Sequence, residues 1–369
     1  MIECIRFRSA LPFDENVKEE FISEVWGGAI DRWRENITPD VETRIEMEIA
    51  TFEQVDGYME YLYFVWRVVY DSGYYLMPYR TLAHASAVCY ALGITEVDPI
   101  RLGLDFNRFM QTDKPRFTEI GLATNATKSQ IQTEIMNLEF DKERERLGEQ
   151  ELNDNAPALT IYPSQRTAQI LGYFSDKLEY MPFDDQATFR TLLRSEDLTG
   201  VYGCNPNTVL QEYLQQAKPQ FEDLIPLCTA SIIDYPTNHI YTSRKYGLSW
   251  EPRFAPDVET ILSETCGDIL YNEQVYAIAK LVGYTTSEAE AFRKVLTARK
   301  KQEYNNHRRR FSKHKGLFRK LINEGCWSFP KAVMAEYARL AYLTAYLKTH
   351  FPEEYNRAAL CVAAGENYY

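Results

Sequence analysis

Between Arg293 and Lys320 the sequence sets about a dozen lysines and arginines against a single acid, Glu303. Cations packed this densely do one kind of chemistry well: they neutralise nucleic-acid phosphates and release the counterions condensed around them. The blander alternative is a solvated helix face that balances an acidic body, and charge alone leaves both open. Thr285 and Glu288 have the spacing of a capping box, so a helix should start there and carry Arg293 and Lys294. Arg299, Lys300, Lys301, Arg308, Arg309, Arg310, Lys313, Lys315, Arg319 and Lys320 follow in a segment with few apolar anchors.

The other reactive side chains read as structural. His84 has no cysteine, serine or paired acid at a useful spacing, so a helix histidine is expected there. His307 and His314 stand among cations, which argues against a metal pair. Asp184-Asp185 precedes a helix expected from about Gln186, and capping accounts for the pair. The seven cysteines (Cys4, Cys89, Cys204, Cys228, Cys266, Cys326 and Cys361) are odd in number, scattered and never in a Cys-x-x-Cys pair, as expected of free thiols. Trp26, Trp33, Trp66, Trp250, Trp327 and the many tyrosines suit core packing first and base stacking second.

These residues must be positioned by a chain of 369 residues, 45% hydrophobic and 25% charged, enough for one large core or two smaller ones. The net charge is −12, and with so many cations in one segment the rest is more acidic than the total suggests. Any nucleic-acid contact should therefore concentrate in that segment. No run approaches the roughly 18 apolar residues of a membrane span. Met1-Ile2-Glu3-Cys4-Ile5-Arg6 lacks the layout of a signal peptide, so a cytoplasmic protein without a membrane partner is expected. There is no internal repeat and no low-complexity tract.

Apolar positions recur at three and four residues from Val41 to Gly73, which predicts two helices broken near Asp56-Gly57. A short strand is predicted over Tyr74 to Met77, then a helix over Thr81 to Leu92 stopped by Gly93. From Gly121 to Pro157 the composition turns polar, and a mobile loop with an exposed helix is expected. Beyond Arg166 the pattern is mostly helical, punctuated by prolines and glycines.

Several segments carry a resemblance. Ile269-Leu-Tyr-Asn-Glu-Gln-Val275 is similar to a Leu-Tyr-Gln-Glu-Gln-Val stretch, and Phe292-Arg293-Lys294 through Lys301 stands where a Leu-Arg-Arg-Ala-Met-Gly-Lys-Lys-Lys run would be. Tyr342-Leu-Thr-Ala-Tyr-Leu-Lys348 through Tyr355 resembles Tyr-Gln-Thr-Ala-Tyr-Leu-Lys-Ala-His-Tyr-Pro-Glu-Phe. Tyr90-Ala-Leu-Gly-Ile-Thr-Glu-Val-Asp98-Pro99, Phe106-Asn-Arg-Phe109 and Glu196 to Tyr202 match further segments in the same order. All belong to the palm and fingers of the bacterial C-family DNA polymerases, the DNA polymerase III alpha subunits, and the resemblance runs from about Pro39 to Tyr355.

It implies an α+β, mostly α-helical fold: a reduced polymerase-beta-like (nucleotidyltransferase) palm remnant followed by a helical fingers domain. The expected divisions are an N-terminal segment, 1–38; a palm-like domain, 39–166, with a shortened polar insertion, 121–157; and a helical fingers-like domain, 167–369. The family draws two metal-binding aspartates from Pro-Asp-Phe-Asp and a third from Phe-Asp-Phe-Leu-Gly-Leu-Arg-Thr. Here Arg116, Thr118 and Ile161 stand in those positions, and Glu119, one step further along a strand, would face the other way.

The family's glycine-rich phosphate loop corresponds to Met77 through Ser86. Pro78, Arg80 and Ser86 persist there, Thr81 replaces a glycine, and no glycine remains. In the fingers, Arg244-Lys245-Tyr246-Gly247 resembles Arg-Lys-His-Gly, and Lys331 matches the lysine of Phe-Asn-Lys-Ser-His with Val333 in the histidine position. The resemblance therefore implies a catalytically inactive relative, with no cofactor and no metal ion. It is expected to be a phage or bacterial replication factor that binds DNA or a replisome protein through Arg244, Lys245, Lys331 and the basic segment. The rival readings are a divergent nucleotidyltransferase, whose two divalent ions would be held by relocated carboxylates drawn from Asp98, Asp105, Asp113 and Glu119, or half of a split polymerase, and a structural assembly protein.

Overall fold

A computed structural model of the chain describes residues 5–8, 15–138, 158–178, 181–194, 200–202, 219–233, 241, 244–245 and 253–365. The chain folds as two compact units, Met1–Met181 with Pro352–Tyr369, and Pro182–Phe351.

In the first unit, β1 (Ile5–Arg8) precedes α1 (Glu15–Trp33), whose Phe21, Val25, Ala29 and Trp33 are buried. Their four-residue spacing makes a single apolar stripe. α2 (Pro39–Phe52) and α3 (Tyr58–Asp71) follow, separated as predicted at Gly57, where a φ of 71° suits glycine. β2 (Leu76–Pro78), α4 (Ala87–Ala91), β3 (Gly121–Thr124), α5 (Lys128–Asn137) and β4 (Ala158–Tyr162) complete a four-stranded sheet of order β1-β4-β3-β2. β3 and β4 run parallel, with Leu122 opposite Ile161, and the two outer pairings are antiparallel. Pro78 sits on the edge strand, where its missing N–H breaks no ladder. α6 (Arg166–Gly172) and α7 (Ser175–Leu178) close the run.

Three local expectations change. The strand begins at Leu76 rather than Tyr74, because Tyr75 instead spends its N–H on the Asn125 side chain. The helix predicted over Thr81 to Leu92 is a 3-10 turn, Ala83–Ala85, and then α4, because Ser86 between them is extended and caps α4 through the Cys89 N–H; Gly93 follows with a φ of 65°. The polar stretch from Gly121 opens not as a loop but as β3, every residue of which is buried. Four small or apolar residues were masked there by polar neighbours. Gly121 is required: a Cβ would lie 2.3 Å from the Tyr79 carbonyl oxygen. Thr127 and Gln130 then form a capping box for α5, and residues 139–157 lie outside the described residues.

The second unit is helical. α8 (Gln186–Arg194) begins at an Asp185 cap that accepts the Thr188 N–H at 2.8 Å, as expected. α9 (Phe221–Ile233), α10 (Pro256–Leu262), α11 (Asn272–Leu281), α12 (Thr286–Thr297), α13 (Tyr304–Arg308), α14 (Lys315–Asn323) and α15 (Lys331–His350) follow. α15 is packed between α8 and α9. At its centre Tyr342 meets the rings of Phe183, Phe189 and Phe221, and donates its hydroxyl to the Pro182 carbonyl. A second cluster joins Val258 and Leu262 of α10, Val275 and Ile278 of α11, Phe292 and Leu296 of α12, Phe311, and Leu317 and Leu321 of α14.

The last helix, α16 (Pro352–Ala364), returns to the first unit and packs on α6. α6 packs on β3, and Phe174 just beyond it meets Tyr355 of α16, so the first compact unit runs on to Met181. The N-terminal segment is likewise part of this unit. α1 packs on α3 and α4, Arg32 pairs with Glu96 and the Trp33 indole donates to Asp98. The outcome is an α+β fold, mostly α-helical.

Candidate nucleic-acid interface

The basic segment is built on α12, α13 and α14. The predicted capping box is formed: Thr285 accepts the Glu288 N–H and the Glu288 carboxylate accepts the Thr285 N–H. After α12 the chain turns at Arg299, whose φ of 52° lies in the left-handed region. The expected scarcity of apolar anchors does not hold, since Phe311, Leu317, Phe318 and Leu321 are buried. They pin the polar face of α13 and α14 in place.

The structure divides the predicted phosphate-binding cations into two groups. Most are occupied within the protein. Arg244 lies 2.9 Å from Asp268, Lys245 lies 2.6 Å from Asp223, and Lys331 lies 2.7 Å from Glu264. Arg293 is forked onto Glu290, which Lys294 also approaches at 3.9 Å, and Lys300 pairs with Glu303. Arg310 closes on Glu288 and the Gly283 carbonyl, over the Tyr284 ring, and so ties the start of α12 to the end of α13. The Arg299 guanidinium lies 3.6 Å from the centre of the Trp327 ring. His307 accepts or donates at Tyr284 Oη, and burial pushes its pKa below the ordinary histidine value.

The second group faces a groove of about 840 Å³ lined by Lys301, Arg308, Arg309, Lys315 and Arg319. None of these five makes an ion pair among the described residues, and no acid lines the groove. Lys313 is exposed but outside it. Tyr304, Phe318 and Ile322 supply apolar wall and were not foreseen. The signal was in the sequence: Lys315, Phe318, Arg319 and Ile322 recur at three and four residues, which puts them on one face of α14.

Asp268, the partner of Arg244, is 2% exposed and its pKa is pushed up to about 6 by burial, against the pull of Lys320 and Arg244. Arg319 also lines the neighbouring pocket of about 440 Å³, together with Arg244, Arg253, Phe254 and Glu259.

In the first unit, the positions that correspond to metal-binding aspartates do not share one strand. Arg116 is exposed and Thr118 half-buried in an irregular stretch ahead of β3, while Ile161 is fully buried in β4. The Thr118 hydroxyl donates to the Phe109 carbonyl. Of the other acids, Asp98 accepts from Trp33 and from the Ile100 N–H, Asp105 caps a 3-10 turn, and Asp113 and Glu119 are exposed. Among the described residues no three His, Cys, Asp or Glu side chains are grouped so as to hold a metal ion.

The phosphate-loop residues are likewise engaged. Thr81 accepts the Ala83 N–H, and Pro78 is in β2. Ser86 donates to Glu48 at 2.6 Å, and the same buried carboxylate accepts the N–H groups of Ala87 and Val88 and the Arg44 Nε. The start of α4 is thereby filled by an internal anion. Arg80 remains exposed, over the rings of Tyr79 and Tyr162.

Residues 19–144 match the family described as the bacterial DNA polymerase III alpha NTPase domain, and residues 166–316 match the bacterial DNA polymerase III alpha subunit finger domain. The chain is a bacterial C-family polymerase alpha-like region. The alpha-like region is 29% identical over 190 residues to the DNA polymerase III subunit alpha of Staphylococcus epidermidis, and 28% identical over 192 residues to that of Staphylococcus aureus. Each match covers 47% of this chain and 18% of the relative, so the chain spans well under a quarter of the length of the curated relatives it matches. The alpha-like match begins within α1, earlier than the resemblance read from motifs. No helix among the described residues is long and apolar enough to cross a membrane.

Proposed function

We propose that this alpha-like chain is a catalytically inactive replication factor, of phage or bacterial origin, that binds DNA through the groove of α13 and α14. The observation that carries the reading is the set of five cations lining that groove without a carboxylate, on a chain of net charge −12. A solvated face that merely balanced the body would pair its charges, as Arg293, Lys300 and Arg310 do. Unpaired cations held beside one another repel, and that arrangement is retained where an anion completes it.

Inactivity is supported by the residues where the family has its aspartates: Arg116, Thr118 and Ile161 offer no carboxylate, and two metals cannot be bridged without one. It is also supported by Glu48, which takes the Ser86 hydroxyl and two N–H groups at the phosphate-loop position. The test is a pair of measurements on the full chain. Binding to a labelled oligonucleotide should occur and weaken steeply with salt, and primer extension with magnesium or manganese should give no incorporation. Incorporation abolished by Glu119→Gln would overturn the inactive reading in favour of relocated carboxylates.

A further inference from the structure

We infer that the groove of α13 and α14 takes an unpaired strand in preference to a duplex, with a base seated against the half-buried ring of Tyr304; this rests on the DNA-binding reading above. The groove is not lined by cations alone. Tyr304 precedes Arg308 by one turn of α13, and Phe318 and Ile322 alternate with Lys315 and Arg319 along α14, so charge and apolar surface interleave on both walls. Tyr304 is half-buried, one side packed on the core beneath, and Phe318 stacks on Phe311 at 5.1 Å between ring centres.

A duplex gives a surface of this kind little to hold. It presents phosphates outward and keeps its base faces stacked inside, so the apolar wall would face water or sugar. An unpaired strand matches both components: phosphates for the arginines and lysines, and base faces for the aromatic wall. Size points the same way. A recess of about 840 Å³ is of the order that encloses a small molecule. One or two nucleotides of a single strand can enter it, whereas a duplex can only lie across its mouth.

The experiment compares three ligands on the full chain at one salt concentration: an oligothymidylate, an abasic strand of equal length, and a duplex of equal length. Oligothymidylate is expected to bind about tenfold or more tightly than either of the others, since base–aromatic stacking is worth roughly that factor per base. Tyr304→Leu, which keeps apolar bulk against the core but removes the flat ring, should lose about tenfold on oligothymidylate and nothing on the duplex. Equal binding of the normal and abasic strands, or tighter binding of the duplex, would overturn this inference while leaving DNA binding intact. Binding of none of the three ligands, or binding unmoved by joint Arg308→Ala and Arg309→Ala substitution, would overturn the underlying reading as well.

Discussion

Joint replacement of Arg308 and Arg309 by alanine gives the sharpest test of the groove. Five cations line it, Lys301, Arg308, Arg309, Lys315 and Arg319. If each meets one phosphate of a single strand, the logarithm of affinity should fall with the logarithm of salt at a slope of about −0.7 per phosphate, hence about −3.5 in all. Raising monovalent salt from about 50 to about 200 mM would then weaken binding roughly a hundredfold. The double variant keeps three contacts, a slope of about −2, and a loss of only about twentyfold over the same range. Fluorescence anisotropy of a labelled oligonucleotide at several salt concentrations measures both slopes. Arg310 is left in place because it holds Glu288 and the Gly283 carbonyl, and its loss would disturb α12 as well as remove charge. Lys245→Ala is the control, since that ammonium sits 2.6 Å from Asp223 and should leave the slope unchanged. A variant slope equal to the parent's, or a control that flattens it as much, would refute the assignment.

The other predictions concern how the scaffold is held. Glu48→Ala removes a buried carboxylate from Arg44, Ser86 and two N–H groups, and should cost about 3–5 kcal/mol, read as a lowered urea midpoint. Gly28→Ala would put a Cβ 2.1 Å from the Ala91 carbonyl oxygen where α1 meets α4, and should cost about 1–3 kcal/mol, whereas Gly27→Ala meets nothing within 4 Å and should leave the melting temperature unchanged or slightly raised. Asp268, with a folded pKa of about 6 against an ordinary 3.8, binds its proton more tightly folded than unfolded. Its contribution is therefore full below about pH 4 and is lost as pH rises to about 6, by roughly 3 kcal/mol, and Asp268→Asn should flatten that part of the stability–pH curve relative to the parent.

What was legible in the sequence followed periodicity and local chemistry. The break at Gly57, the stop at Gly93, and the caps at Asp185 and Thr285 each depend on a residue and its near neighbours, so spacing alone reveals them. β3 was hidden because four residues are too few to set a period, and its burial comes from β2 and β4, remote in sequence. The groove was half legible. Sequence located the cations but not which were already paired, since the partners of Arg244, Lys245 and Lys331 approach from other turns of the chain. α16 returns to the first unit for the same reason: Tyr355 finds its place against Phe174, a contact that no pattern within the helix announces.

On the DNA-binding proposal, that sorting of cations bears on how so acidic a protein would hold an acidic polymer. Had every Lys and Arg from residue 293 to 320 faced solvent unpaired, the segment would attract phosphate along its whole length and in many registers. Internal pairing of Arg293, Lys300, Arg310 and Lys320 withdraws those charges from competition. The positive potential is left concentrated where Arg308, Arg309, Lys315 and Arg319 meet. Without the groove's cations the rest of the chain carries more net negative charge than the total of −12, which disfavours a strand elsewhere. Binding confined in this way should saturate at one strand per chain, and a stoichiometry above one at low salt would mean that charges outside the groove share the work.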